Sequence, residues 1–244
     1  MNLIKKLLGR KDNSRPICSA VVPAAGSSSR MGGENKLFMM LDGIPVLART
    51  LLALDSAALV DEIVVASRES DLLAIADLCR DYGVRKPVKI VLGGESRLES
   101  VLLATLECRQ DAAFRAVHDG ARPLADGAFI DAVIAHAQRT NAAAPAVPVK
   151  DTIKVARDGV VESTPDRSLL FAVQTPQVFD AQLLRAALQS AKEADAAVTD
   201  DCSAVERLGK SVYLTEGSYE NIKITTPEDM ILAAAILRRR EELS

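Results

Sequence analysis

Short apolar runs alternate with amphipathic segments from residue 17 to residue 149, and this alternation limits the possible folds more than any other feature of the chain. Strand-like runs fall at 17–23, 62–67, 88–92, 114–118 and 143–149. Between them, 45–54, 70–81, 97–109 and 127–139 space their apolar residues as a helix does. A repeated strand, crossover helix and strand requires a mostly parallel sheet covered on both faces. The expected class is therefore α/β in three layers, with binding sites gathered beyond the carboxyl ends of the strands.

The rhythm changes after Val149. Residues 150–173 carry charges, β-branched segments at 152–155 and 160–161, and an Asp158-Gly159 turn signal, which predicts a hairpin projecting from the main body. A lone two-stranded arm is marginal in water, so it is expected to pack on another subunit. Helical patterning resumes at 180–194 and 199–208, followed by strands at 211–215 and 221–224. A closing helix is marked by Thr226 at its cap, Pro227 in its first turn, and Glu228 and Asp229 facing its dipole. The expected organisation is an N-terminal extension, 1–16, and one domain, 17–244, with the arm at about 150–173.

Composition narrows the class of function. The chain has 244 residues, 48% of them hydrophobic, and its 30 basic and 33 acidic side chains leave a net charge of -3. Such a balance excludes a disordered chain and argues against nucleic acid as a partner. The longest apolar runs, 17–25 and 231–237, are too short to span a bilayer, so no integral membrane segment is expected. Residues 1–10 are basic and amphipathic without the pattern of a secretory signal, and read as a short helix or frayed tail. Four irregularly spaced cysteines, no C-x-x-C and two histidines speak against structural zinc and for a cytoplasmic location, with the thiols as small buried hydrophobes.

The most informative stretch follows the first strand. Ala24-Ala25-Gly26-Ser27-Ser28-Ser29-Arg30-Met31-Gly32-Gly33-Glu34-Asn35-Lys36 is a loop of small residues whose amides can approach a polyphosphate, with Arg30 and Lys36 to neutralise it. It is not a P-loop: five residues separate Gly26 from Gly32, and no Ser or Thr follows Lys36. The dinucleotide fingerprint G-x-G-x-x-G is also missing, which discounts a dehydrogenase.

With its neighbours, this loop resembles the signature of sugar-phosphate nucleotidyltransferases, and more specifically the 2-C-methyl-D-erythritol 4-phosphate cytidylyltransferase family. The likeness runs from about Cys18 to Leu237. Beyond the loop it rests on ordered blocks at 93–101 (Gly93-Gly94-Glu95 onward), 117–123 (Val117-His118-Asp119-Gly120-Ala121-Arg122-Pro123) and 148–154. Further blocks are Gln174-Thr175-Pro176-Gln177, Thr199-Asp200-Asp201, and 221–229 beginning Asn221-Ile222-Lys223-Ile224.

The resemblance implies a Rossmann-like fold, Mg²⁺ as cofactor, and a homodimer built through the β-arm. It implies transfer of CMP from CTP to a sugar-alcohol phosphate, by in-line attack on the α-phosphorus in the non-mevalonate isoprenoid pathway. Cations then matter more than a general base. Arg30, Lys36 and Lys223 would be catalytic, with Ala24, Ala25 and Gly26 cradling the nucleotide. Gly93, Gly94, Glu95, Ser100 and Gly120 would complete the nucleotide site. Asp119 would place the metal or the acceptor, and Thr152, Arg167, Thr175 and Thr199 would bind the acceptor, the first two across the dimer. The bland alternative for Asp119 is a turn-capping aspartate before Gly120, and Arg97 reads equally as a site residue or a solvated charge at a helix start. His118 and His136 read as structural residues.

Two departures stand out. The family usually has Pro-Lys-Gln where this chain has Asn35-Lys36-Leu37, with a spacer after Met31 one residue shorter than common, so Lys36 keeps its role only if the loop adjusts. Gly120 stands where Ala is usual. The rival readings are a ribitol-5-phosphate cytidylyltransferase, from which the small residue before Arg122 separates this chain, and a non-catalytic nucleotide-sensing module. Retention of Arg30, Lys36, Asp119 and Lys223 together argues against the latter.

Overall fold

The parallel core of the fold is built by β1 (Cys18–Pro23), β4 (Glu62–Ser67), β5 (Val88–Leu92) and β6 (Phe114–Val117). The computed structural model describes residues 15–26 and 35–243. β1 lies between β4 and β6, and β5 follows β4, all in parallel register. Side chains alternate between faces as the strand period demands: Ala20, Val22, Ile63 and Val65 enter one apolar cluster, while Val21, Val64 and Ala66 enter the other.

Helices cover both clusters. α1 (Val46–Ser56), α2 (Leu72–Asp81), α4 (Gly127–Thr140) and α7 (Pro227–Glu242) pack on the first. α3 (Arg97–Glu107), α5 (Ala181–Glu193) and α6 (Asp201–Arg207) pack on the second. Starts are fixed by side-chain caps: Ser96 for α3, Asp126 for α4, Asp180 for α5 and Asp200 for α6. Pro227 opens α7, and the Asp229 carboxylate accepts from the amides of Thr225 and Thr226.

The rest of the sheet is antiparallel in part. β7 (Ala142–Pro148) pairs with β10 (Phe171–Val173) and β11 (Gln177–Asp180), and β11 inserts antiparallel beside β6. On β7, β12 (Tyr213–Glu216) also pairs, in parallel. The Gln174–Pro176 segment joins β10 to β11 and runs past the end of β6, which is how its side chains reach the site. A small hairpin of β2 (Met40–Leu41) and β3 (Ile44–Pro45) turns at Asp42 and Gly43, both at positive φ.

Two expectations change. Residues 221–224 form no strand: the alternating Asn-Ile-Lys-Ile pattern imitates one, but Ile222 and Ile224 pack into the first cluster without joining a ladder. The backbone is held by single bonds instead, Ile224 N–H donating to Ala121 O at 2.8 Å and Arg122 donating to Asn221 O at 2.6 Å. In the arm, the first strand is β8 (Val155–Arg157), starting later than expected, and it pairs antiparallel with β9 (Val160–Ser163) around Asp158 and Gly159, both at positive φ. Every residue of both strands is exposed. The four cysteines are free thiols; Cys18, Cys108 and Cys202 are buried, and Cys79 is half-buried. The expectation for residues 1–10 lies outside the described residues.

Candidate active site

β1 and β6 end side by side, and their carboxyl ends form the floor of the site. Past β1 the chain turns away after Ala24, whose amide donates to Ala66 O at 2.7 Å. Past β6 come His118, Asp119, Gly120 and Arg122. Gly120 sits at close quarters: a Cβ there would lie 3.3 Å from both Leu47 Cδ1 and Val22 Cγ1, which would have to give by a few tenths of an ångström. A cavity of about 500 Å³ opens above this floor. Ala24, Ala25, Gly26, Lys36, Asp119 and Lys223 line it together with Gly94, Glu95, Ser100 and Gly120. Gly93 lines a second cavity of about 620 Å³ that shares Ala25, Gly94 and Glu95 with the first.

The lysines arrive from opposite ends of the chain. Lys36 leaves a turn closed by the Phe38 and Met39 amides, and its Nζ donates to Ile224 O at 2.8 Å. Lys223 Nζ lies 3.0 Å from Asp119 Oδ2. The same carboxylate has Arg122 at 3.4 Å and Arg97 at 3.7 Å. Burial pushes the Asp119 pKa up, but the charges of Lys223, Arg97 and Arg122 outweigh it and hold the carboxyl well below its usual range. Asp119 is thus a fixed anion at neutral pH, surrounded by cations.

Arg97 is ion-paired at the cavity wall rather than a solvated charge. It lines the cavity and donates to Asp201 Oδ2 at 2.8 Å while facing Asp119. Asp201 is 1% exposed at the start of α6, and burial raises its pKa despite Arg97. Gln177 fixes this end of α6: its Oε1 accepts from the Asp201 and Cys202 amides and its Nε2 donates to Asp200. Gln174 does the same for the segment before Lys223, exchanging two bonds with Ser218. Asn221 Nδ2 completes the link by donating to Thr175 O at 3.0 Å.

His118 is buried and structural. Burial pushes its imidazole pKa down to about 4, so the neutral ring stands between the Thr175 hydroxyl at 3.1 Å and Arg122 O at 3.4 Å. The Asp119 amide donates to that same hydroxyl at 3.1 Å. Thr175, expected in the acceptor pocket, is therefore engaged in holding Asp119. Thr199 is exposed before α6 and its amide donates to Ser203 Oγ. Thr152 and Arg167 are exposed on the arm and do not line the cavity of their own chain; Arg167 donates to Lys150 O at 2.8 Å. Arg30 lies outside the described residues. Arg97, Arg122, Asp201, Gln174 and Gln177 had no assigned role from sequence, although all fall in the quoted blocks; a charged or amide side chain beside an assigned residue was the available signal.

The fit to a divalent cation follows from the donor set. Among the described residues no group of three or more His, Cys, Asp or Glu could hold a metal. A hard cation carrying waters and nucleotide phosphates needs few protein oxygens, and the Asp119 carboxylate, with Oδ1 3.7 Å from Arg97, is a hard donor of that kind. The chemistry this arrangement supports is charge neutralisation over a polyphosphate.

Comparison with known proteins agrees. Residues 18–239 match the family described as "IspD: 2-C-methyl-D-erythritol 4-phosphate cytidylyltransferase". A protein of that name from Desulforamulus reducens is 46% identical over 224 residues, covering 91% of this chain and 96% of the relative. One from Bacillus cereus is 44% identical over 218 residues, 89% of this chain and 96% of the relative. The crystal structure of 4-diphosphocytidyl-2C-methyl-D-erythritol synthase from Anaerococcus prevotii superposes with a TM-score of 0.82 at 31% identity, covering 91% and 99% of the two chains.

Proposed function

The chain belongs to the 2-C-methyl-D-erythritol 4-phosphate cytidylyltransferase family, and from that premise we propose how its own residues carry the reaction. It is a nucleotidyltransferase that moves the cytidylyl group of CTP to 2-C-methyl-D-erythritol 4-phosphate in isoprenoid biosynthesis. A phosphate oxygen of the acceptor forms the new bond to the α-phosphorus as the bond to the β-phosphate bridging oxygen breaks, and diphosphate leaves with the electron pair.

That acceptor oxygen is already ionised near neutral pH, so no proton need be removed. The barrier is repulsion between anions, and fixed cations lower it. Lys36 and Arg30 neutralise the triphosphate, Lys223 approaches the α-phosphate, and the amides at 24–26 cradle the chain of phosphates. Asp119 holds Lys223 in place and would be the residue to hold Mg²⁺, with Arg97 and Arg122 keeping the carboxylate ionised. When bound, Mg²⁺ adds charge neutralisation on the nucleotide phosphates. Cytosine is read at the loop of Gly93, Gly94, Glu95 and Ser100. In support, Ser100 Oγ accepts from the Gly94 amide at 3.1 Å, which fixes that loop.

We also read the protein as a cytoplasmic homodimer, one domain per chain over 17–244, with no nucleic-acid partner. Among the described residues no helix is long and apolar enough to cross a membrane. The exposed arm, with Val160 at 68% and Leu169 at 76%, is an apolar surface suited to a second copy, where Thr152 and Arg167 would serve the acceptor with Thr199.

The observation that carries the reading is the meeting of Lys36, Lys223 and Asp119 over one cavity at the ends of β1 and β6. Diphosphate release from CTP and Mg²⁺ tests it, with methylerythritol phosphate and ribitol 5-phosphate as competing acceptors. A clear preference for the former is expected. Preference for ribitol phosphate, or CTP binding without turnover on either, would overturn it.

A further inference from the structure

Lys36 sits directly after the glycine-rich loop, and its neighbour Asn35 makes two side-chain bonds that nothing in the reaction accounts for. Asn35 Oδ1 accepts from the Leu37 amide at 3.2 Å, so the side chain folds around the residue between them, which is Lys36. Asn35 Nδ2 donates to Asp71 Oδ2 at 2.9 Å. Asp71 is itself fixed: the Arg68 guanidinium donates to the same oxygen at 2.8 Å and 3.1 Å, and Ser70 Oγ donates to Oδ1 at 3.0 Å. Residues 69–71 form a short 3₁₀ turn between β4 and α2, and Arg68 and Glu69 line the cavity that contains Gly93 and Gly94.

We propose that Asn35 is a positioning residue for Lys36, locking the end of the glycine-rich loop to Asp71 so that the lysine is held over the nucleotide phosphates before CTP arrives. This rests on the cytidylyl-transfer reading above. Lysine has a long flexible stem, and fixing the backbone on either side of it lowers the ordering cost when its ammonium meets a phosphate. The lock also joins two parts of the nucleotide site. One end is the loop that grips phosphate; the other, through Asp71 and Arg68, is the wall beside the glycine pair that reads the base.

The test exchanges donor and acceptor. In Asn35→Ala both bonds are lost. Asn35→Asp keeps the bond to Leu37 but faces Asp71 with a like charge. Asn35→Asp combined with Asp71→Asn restores a bond between the two side chains with reversed roles; the new amide nitrogen stands where Oδ2 stood and gives up the Arg68 bonds, while the amide oxygen still accepts from Ser70 Oγ. CTP affinity is measured by calorimetry without acceptor, and KM and kcat by diphosphate release. Asn35→Ala is expected to weaken CTP about tenfold, Asn35→Asp further, and the double variant to return within about threefold of the parent. The acceptor KM should stay within about twofold throughout. CTP affinity unchanged in Asn35→Ala, or a double variant no better than Asn35→Asp, overturns the proposal while leaving the reaction intact. A parent protein that releases no diphosphate from CTP overturns the reaction and the proposal together.

Discussion

Lys36 Nζ donates to the carbonyl of Ile224, 188 residues further along, at 2.8 Å, so the lysine of the first loop grips the segment that presents Lys223. Neither lysine is placed by its own element alone. Ile224 is fully buried and its amide is bonded to Ala121, just after Asp119, so the two cations and the carboxylate share one scaffold.

Lys223→Ala should therefore act chiefly on turnover. Removing one preorganised donor from a transition-state oxyanion typically costs about a hundredfold to a thousandfold in kcat. CTP affinity should fall less than about tenfold, because Lys36 and the loop amides still hold the triphosphate. Steady-state kinetics with calorimetric CTP binding separates the two; equal loss in both would make Lys223 an ordinary binding charge.

His118 gives a pH dependence. Its folded pKa is depressed to about 4 by burial, below the unfolded value, so its contribution to stability is complete above pH 6.5 and is lost as pH falls toward 4. The loss is about 3 kcal/mol once both states are protonated. Urea midpoints between pH 7 and pH 4.5 should drop more steeply for the parent than for His118→Gln. Parallel curves would show that the ring does not resist protonation.

Much of the fold is legible in the sequence because burial writes a simple pattern. β1 and β4 are covered on both faces and read as nearly continuous apolar runs; Thr226 and Pro227 announce the closing helix. The 221–224 segment misled because a period of two arises whenever one side of an extended chain is buried, whether or not its backbone pairs. β2 and β3 carried a usable signal, Asp42-Gly43 between apolar residues. Lys36, Asp119 and Lys223 were legible through resemblance. Their support was not: Arg97 meets Asp201 across 104 residues, and no local rule connects them.

Gly93 tests the contact between the base-reading loop and the phosphate loop. A Cβ at this position would lie 2.8 Å from Ala25 Cβ and 2.9 Å from Ser100 Oγ, too close to accept without moving one of the loops. Gly93→Ala should raise the CTP KM about fivefold to a hundredfold, the scale of an overpacking cost of about 1–3 kcal/mol. An unchanged KM would mean that the loops yield freely.

The arm is tested by mixing. Arg167→Ala should raise the acceptor KM far more than that of CTP. If Arg167 serves the neighbouring subunit, Arg167→Ala and Lys223→Ala proteins, mixed equally, unfolded and refolded together and assayed at low acceptor concentration, should recover about a quarter of parental activity, since about half of the dimers are mixed and half of their sites are whole. No recovery would place Arg167 in its own chain's site or outside any site.

A crystal structure with CTP and Mg²⁺ tests the central claim most directly. The account predicts the α- and β-phosphate oxygens within about 3 Å of Lys36 and Lys223 Nζ, above the Asp119 carboxylate. A nucleotide bound elsewhere, or either lysine turned to solvent beside a bound triphosphate, would contradict it.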